Sequence, residues 1–409
     1  MKFHNIDLAN YINGFSVSIE DKDLNISAKD VRTAIDAISF KLLPMEVLPF
    51  IPATISPCKA SNIDDFLEHP RQAFDEYTKM GAKKIIGELK HMGSRAVILA
   101  FENEEAALKY TNQSKTTIIY TRRGLSFFKG SDEEYICSKI QNLLRATNYY
   151  KKHNTGFVLM DAEILPWNAK GMGLLSNQYL PVLDSSKSLN ENIIKSLSGV
   201  ENLDYIKEEV IKNLDNIEKY KEQLENYCWD TNITNIKIAP FHLLAHEKKT
   251  FFDKPHEWHL NHFNEIIDLK ENDLFIKTPY VIVNLDSEDS KKKAIDFWLD
   301  ITSKGYEGVM FKSETFVEKN ADGKTILPMM KVRGKDYLRI IYGINYNDKK
   351  YLDKLRYRNV SKKRFLHYTE MSLSIESIKL FSNGEPFNKW HDYIFASICL
   401  GNMATDHRL

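Results

Sequence analysis

The sequence predicts an α+β fold built mainly on antiparallel sheets. Short β-branched runs crowd residues 82–130. A second group of such runs follows a long helical stretch and extends to residue 333, and beyond 346 the chain reads as helical to its end.

Taken in order, residues 1–60 are mixed and end in "LPFIPATISPCKAS", whose prolines favour an extended entry. "DFLEHPRQAFDEYTKM" reads as a short helix feeding a first strand. The strands expected next are "KKIIGELK", "RAVILAFE", "TTIIYTRRG" and "LSFF"; "EEYICSKIQNLLRATNYYKK" is helical by spacing, and "TGFVLMDAEILPW" returns to a strand. Between about 185 and 228, Leu203, Ile206, Val210, Leu214, Ile217, Tyr220 and Leu224 recur at three- and four-residue steps, which predicts an amphipathic helical insertion. Strands resume in "TNIKIAPFHLLA", "TPYVIVNL", "YEGVMFKS" and "ILPMMKVRGKDYLRIIYG", with a helix in "SKKKAIDFWLDITSKG". The expected organisation is an N-terminal segment 1–44 without an assigned role, a core 45–345 carrying the insertion, and a C-terminal helical module 346–409.

Composition narrows the function classes. At 409 residues the chain can bury a full core, and 56 basic against 56 acidic residues give no global pull toward nucleic acid or anionic membrane. Any polyanion site must be a local patch. Cys58, Cys137, Cys228 and Cys399 lie far apart, without metal-ligand spacing, which suggests buried thiols in a reducing compartment. The N-terminus lacks a signal-peptide core and no run approaches the ~20 apolar residues of a membrane span. A soluble, cytoplasmic protein is expected.

Strand parity sorts the residues that could do chemistry. Lys90, at the end of "GELK", is either a turn residue or an amine at the mouth of a pocket. In "LMDAEIL", Asp161 and Glu163 share a face. In "GYEGVMFK", Glu307 shares a face with Val309 and Phe311, and Lys312 emerges at the far end. Lys331 and Arg333 share a face while Met330 and Val332 pack behind, and Arg122 and Arg123 stand beside an expected turn at Gly124. "DKKYLDKLRYRNVSKKRFLHY" interleaves Lys349, Lys350, Lys354, Arg356, Arg358, Lys362, Lys363 and Arg364 with aromatics. It reads equally as an RNA-binding surface and as a solvated or partner-docking helix face. His256, His259 and His262 recur at three-residue steps, but no carboxylate or cysteine at matching spacing supports a zinc site.

Taken in order, these residues resemble the motifs of covalent nucleotidyltransferases, the superfamily of ATP-dependent ligases and RNA capping enzymes. Lys90, Gly93 and Arg95 match K-x-x-G-x-R; Thr121, Arg122 and Gly124 match S-R-x-G with one conservative change. Glu163 is the third motif's carboxylate, Glu307, Gly308 and Lys312 match E-G-x-x-x-K, and Lys331 and Arg333 are the basic pair of the fifth. With "KHMGSRA", "LEHPRQAF", "DAEILPWNAK", "APFHLLA", "HEWH" and "KVRGKDYLRIIYG", the chain from about residue 45 looks like the ligase module of bacterial polynucleotide kinase-phosphatase-ligase (Pnkp), which works with a Hen-type RNA 2'-O-methyltransferase.

That resemblance implies an ATP-grasp-like core of mainly antiparallel sheets, with a helical module where DNA ligases carry an OB domain. It implies an ATP-dependent RNA ligase in which Lys90 attacks the α-phosphorus of ATP, with Mg²⁺ or Mn²⁺ on Glu307. Arg95 and Glu163 would hold the ribose, Arg122 would lie near the nucleotide or the incoming 5'-phosphate, and Lys312, Lys331 and Arg333 would contact the nucleotide. Phe241 is the expected adenine-stacking aromatic. No phosphate loop G-x-x-x-x-G-K-[ST] occurs, so kinase-phosphatase and methyltransferase would be separate subunits, and cleaved tRNA is the family-level substrate. Leu89 departs from the acid that related ligases often carry there. A GTP-dependent capping enzyme, a DNA ligase and a non-catalytic scaffold keeping the fold are the alternatives.

Overall fold

A computed structural model describes residues 2–3, 6–19, 22–167, 175–227 and 232–409. Cys228 and residues 168–170 of the "DAEILPWNAK" motif lie outside them. The chain opens with two small hairpins, β1 (Lys2–Phe3) with β2 (Ile6–Asp7) and β3 (Gly14–Ile19) with β4 (Lys22–Ser27). A helix, Ala28–Lys41, follows; the Ser27 side chain caps it by accepting from the Asp30 N–H.

The core strands are β5 (Lys84–Lys90), β6 (Ser94–Phe101), β7 (Thr117–Thr121), β8 (Phe157–Leu165), β9 (Lys237–His246), β10 (Lys249–Thr250), β11 (Tyr280–Asn284), β12 (Gly308–Ser313) and β13 (Met329–Arg333). They form two sheets, ordered β11-β5-β12-β13 and β10-β9-β8-β6-β7, with every strand pair antiparallel. Beyond Arg333 all described elements are helical, and no barrel of strands follows.

Alternation assigns each sheet face its partner. Ile85, Leu89, Val309, Phe311, Met330 and Val332 form a core with the helices Pro70–Met80 and Glu288–Ser303, through Phe74, Tyr77 and Trp298. Ala96, Ile98, Met160, Ala162 and Ile164 pack on Ile136 and Ile140 of the helix Gly130–Ala146. Residues of opposite parity on both sheets face a cleft between them. Burying each such apolar side chain stabilises the fold by roughly 1.5–3 kcal/mol, which makes the two sheets rigid walls.

The third core joins distant parts of the chain. Leu8, Val17, Ile26 and Val31 pack with Leu373, Ile378, Phe381, Ile394 and Phe395 from the helices Ser361–Ser382 and His391–Leu400. The described part of the segment before residue 45 is therefore integral to the packing around the C-terminal helices.

Three local expectations differ. "LSFF" forms no strand: Ser126 makes only an isolated bridge to Tyr120, because consecutive Phe127 and Phe128 enter the same core, which period-2 alternation forbids. The helix expected across 133–152 divides at Asn148, whose φ of 54° is left-handed. The insertion begins earlier, with helices Leu180–Ser196 and Asp204–Tyr227 packed through Leu183, Ile217, Tyr220 and Leu224. Among the described residues, no helix is long and apolar enough to cross a membrane.

Candidate active site

Lys90 closes β5, opposite Gly308 on β12. Its Nζ lies 2.8 Å from Glu307 Oε2, and its side chain is 21 % exposed while that of Glu307 is 5 % exposed, so the amine is held yet reachable. Two glycines permit this arrangement. A Cβ on Gly93 would stand 2.4 Å from the Ile164 carbonyl oxygen and 2.8 Å from Glu163 Cγ, so only glycine lets the β5–β6 turn approach β8. Gly308 has φ +145°, and a Cβ there would meet the Val332 oxygen at 2.3 Å. This backbone turn overrides the parity expected for Glu307, which leaves the face of Val309 and Phe311 and reaches Lys90.

The cleft holds a cavity of about 290 Å³ lined by Lys90, Arg95, Arg122, Glu163, Phe241, Lys312 and Lys331, with Glu88, His91, Thr278, Lys363 and the segment Ala53–Ile55. Phe241 arrives through a β-bulge: β9 pairs Pro240 with Ala162 and His242 with Asp161, and the extra residue between them is re-aimed. Its ring lies 4.4 Å from Lys312 Nζ and 5.7 Å from the Arg95 guanidinium.

The cations lining the cavity fall into two groups. Lys90, Arg95 and Lys312 are each paired, with Glu307, Asp161 and Glu88 respectively. Arg95 Nε donates to Asp161 Oδ1 at 2.9 Å, and its Nη1 to the Ala53 carbonyl at 3.2 Å. His256 Nε2 lies 2.7 Å from Glu88 and 3.0 Å from Lys312 Nζ, completing a buried triad. Burial pushes the Glu88 carboxyl up, but the charges and hydrogen bonds of Lys312 and His256 outweigh it and hold it down to about 2.

Arg122, Lys331 and Lys363 have no ion-pair partner among the described residues. Burial, reinforced by Arg333, Lys363 and Lys90, presses Lys331 well below the usual lysine value. Burial and the fields of Arg333 and Arg122 lower Lys363 to about 8. These groups stand ready for anionic oxygen.

Glu163 and Glu307 flank Lys90 closely enough to interact. Burial raises Glu163 to about 7, opposed by Lys90 and reinforced by Glu307. Two hard carboxylates that repel each other beside a phosphate-sized cavity fit a Mg²⁺ or Mn²⁺ that keeps much of its water. Among the described residues there is no group of three or more His, Cys, Asp or Glu side chains placed to hold a metal by themselves.

The model of the family described as PNKP adenylyltransferase domain, ligase domain, matches residues 33–403. The chain belongs to this family. The match begins ahead of residue 45, consistent with the packing of the Ala28–Lys41 helix. Two solved structures share the PNKP ligase-domain fold over nearly the whole chain. One, described as "Structure of Pnkp1/Rnl/Hen1 complex", superposes with a TM-score of 0.65 at 18% identity, covering 93% of this chain and 98% of that one. The other, described as "Structure of the Pnkp1/Rnl/Hen1 RNA repair complex", gives 0.63 at 16% identity with the same coverages. No curated protein matches the sequence.

Within this PNKP-family domain the fold gathers Lys90, Arg95, Arg122, Glu163, Phe241, Lys312 and Lys331 in one cavity, with Glu307 on Lys90. Arg333 is a correction. Its guanidinium turns from the cavity into a buried pair with Glu68, Nη2 to Oε1 at 2.6 Å, where Arg358 joins at 2.9 Å.

The basic stretch also divides. Arg358 is buried on Glu68 and the Cys58 carbonyl, Arg364 pairs with Glu76 at 2.5 Å, and Arg356 binds the Ser61 and Ile63 carbonyls. These three arginines hold the module to the core and are withdrawn as RNA contacts. Lys349, Lys350, Lys354 and Lys362 remain exposed, while Lys363 enters the cavity. The histidines disperse: His256 joins Glu88, His259 packs 4.0 Å from the His242 ring as neighbouring centroids, and His262 Nε2 lies 2.6 Å from the Tyr149 hydroxyl. Glu88 and Glu68 were missed; the parity of Asp161 with Glu163 pointed to Asp161, and the histidine spacing to His256 as a structural or nucleotide-side residue.

Proposed function

We propose that this protein is an ATP-dependent RNA ligase. The observation that carries the reading is the polarity of the cleft around Lys90. Phe241 on β9 marks one end, and Arg122, just past β7, marks the other, three strand spacings away, or about 14 Å. An aromatic floor, a reachable amine and cations without carboxylate partners suit a base, an α-phosphate and the phosphates beyond it.

In the first step Lys90 Nζ forms a bond to the α-phosphorus of ATP as the bond to the pyrophosphate oxygen breaks, leaving lysyl-AMP. The attacking amine must be neutral, and Glu307, 2.8 Å away, is positioned to take its proton. Phe241 stacks on the adenine, Glu163 accepts from the ribose with Arg95 fixed beside it by Asp161, and Lys331 neutralises the developing charge. Mg²⁺ or Mn²⁺, which Glu307 would hold, would supply further charge neutralisation at the phosphates. AMP then passes to an RNA 5'-phosphate, and a 3'-hydroxyl displaces it to seal the strand.

The complexes of Pnkp1, Rnl and Hen1 that share this fold support partnership with separate kinase-phosphatase and methyltransferase subunits and support RNA as substrate, with cleaved tRNA an expectation from the family resemblance alone. Incubation with α-labelled ATP or GTP and Mg²⁺ or Mn²⁺, then a denaturing gel, tests the reading. An acid-labile label from ATP, absent in Lys90→Ala, is expected. Label from GTP alone would make the protein a capping-type enzyme, and none from either would leave a scaffold or an enzyme with an obligatory partner.

A further inference from the structure

The cavity wall includes one side chain from the C-terminal helices, Lys363, in the first turn of Ser361–Ser382. Its helix is anchored to the wall segment at Thr54 and also at Ile51, whose carbonyl accepts from the Ser374 hydroxyl at 2.7 Å. Glu370 Oε2 accepts from the Thr54 N–H at 2.5 Å, and His367 Nδ1 contacts the Thr54 carbonyl. The same segment is tied to β13, since the Lys331 N–H donates to the Ser56 carbonyl and the Cys58 N–H to that of Lys331, each at 3.1 Å. Lys363 is thereby fixed beside Lys331.

The strand order adds direction. β13 and β7 are edge strands of their sheets, and Lys331 and Arg122 stand at these edges, with Lys363 covering them from the helix. Lys331 feels both Lys90 and Lys363, whereas the leading cationic fields on Lys363 are Arg333 and Arg122. Along the sheets Lys331 on β13 stands two strands from Lys90 on β5, and Arg122 lies just past β7, one strand beyond Arg95 on β6, with Lys363 lining the same cavity. Glu370, the acid whose field acts on Arg122, is already engaged with Thr54, and Glu68, which acts on Lys363, is engaged with two arginines.

Phosphoryl chemistry assigns a use to that far end. Attacking and leaving groups at phosphorus are roughly in line. When Lys90 attacks, pyrophosphate leaves opposite to it; when lysyl-AMP reacts onward, Lys90 is the leaving group and the incoming 5'-phosphate must approach from that same opposite side. The Nζ–P bond forms and the P–O bond to pyrophosphate breaks in the first reaction; a new P–O bond forms and the Nζ–P bond breaks in the second, with the amine regaining its proton.

We propose that Lys363 and Arg122 form one phosphate seat used twice, vacated by pyrophosphate and then taken by the 5'-phosphate of the RNA. The inference rests on the lysyl-AMP reading of Lys90. The C-terminal module thus supplies a substrate-binding residue to the cleft, and the two anions compete for one place.

The experiment uses the full chain carrying labelled AMP, chased with inorganic pyrophosphate or with a 5'-phosphorylated oligoribonucleotide. Lys363→Ala should raise the half-saturating concentration of both by roughly tenfold or more, the loss of one charged contact. Lys363→Arg should recover most of it. Lys379→Ala, on the same helix and paired with Glu376, should match wild type, with unchanged thermal melting of all three reporting folding. A loss confined to one chase, or to neither, overturns the shared seat. A second measurement needs no lysine chemistry: pyrophosphate binding to the unlabelled protein should be displaced competitively by the same oligoribonucleotide and weakened by Lys363→Ala. If wild type takes no label while this competition holds, the ligase reading falls and the seat stands; if the two anions bind together, the seat falls.

Discussion

Lys90 Nζ and Glu307 Oε2 form a 2.8 Å ion pair across the β5–β12 junction, and Lys90 lines the same cavity as Glu163 of the other sheet. This contact fixes the amine beside the only carboxylate it touches among the described residues. Glu307→Gln should therefore slow lysine labelling by ATP by about 10²-fold or more, the usual scale for losing a proton acceptor. Single-turnover labelling at saturating ATP checks it, and an unchanged rate would make the pair a resting-state contact alone.

Gly93→Ala places a methyl 2.4 Å from the Ile164 carbonyl, with backbone on one side and the Glu163 stem on the other. Overpacking of this kind costs about 1–3 kcal/mol. A lower melting temperature accompanied by loss of labelling is expected, because the strand displaced is the one carrying Glu163.

Phe241→Ala removes the aromatic floor that lies against Lys312 and Arg95. Base stacking of this type is worth about 1–3 kcal/mol, so half-saturation by ATP should rise roughly tenfold or more, with Phe241→Tyr retaining most of the affinity. Titration of the labelling rate against ATP reads this directly.

The basic stretch should separate by function. Glu68→Ala leaves the buried guanidiniums of Arg333 and Arg358 without their carboxylate, at a cost of about 3–5 kcal/mol read by denaturant unfolding. Neutralising the exposed Lys349, Lys350, Lys354 and Lys362 should leave that stability unchanged, weaken RNA binding and flatten its dependence on salt.

Acid should unfold the protein through the same buried groups. Burial raises the Glu68 carboxyl, but Arg333 and Arg358 outweigh it and hold it near 2, below the ordinary 4.5. A carboxyl depressed on folding stabilises above its unfolded pKa, and that stability disappears as pH falls from about 4.5 toward 2. The contribution is roughly 3 kcal/mol at 1.36 kcal/mol per unit. His91 and His367, each lowered to about 4 by burial, act in the same sense from pH 6.5 downward, since the unfolded chain takes up their protons first. Denaturant midpoints at pH 7, 5 and 3 should fall in that order, and the last interval should shrink in Glu68→Gln.

The strands and the motif residues were legible because both obey short spacings. Alternation placed Met330 and Val332 in the core and Lys331 in the cavity, and the K-x-x-G step reflects one close approach of β8. Where sequence reading failed, the cause was a local exception or a distant partner. Gly308 turns Glu307 off its expected face. Arg358 looks like a surface cation until folding brings Glu68 to it from 290 positions away. Lys363 looks the same as its exposed neighbour Lys362, and only the helix face that folding turns to the cavity separates them. The bulge that aims Phe241 follows from pairing with β8, which no window around Phe241 contains.

The Thr54 anchor also orders events during biosynthesis. Thr54 leaves the ribosome more than 300 residues before Glu370 grips it. A nascent or prematurely terminated chain can hold Lys90 on its strand, yet it lacks the helix that closes the cavity wall. Such fragments would lack Lys363, so on the ligase reading full engagement of the phosphates is expected only from a chain translated through that helix.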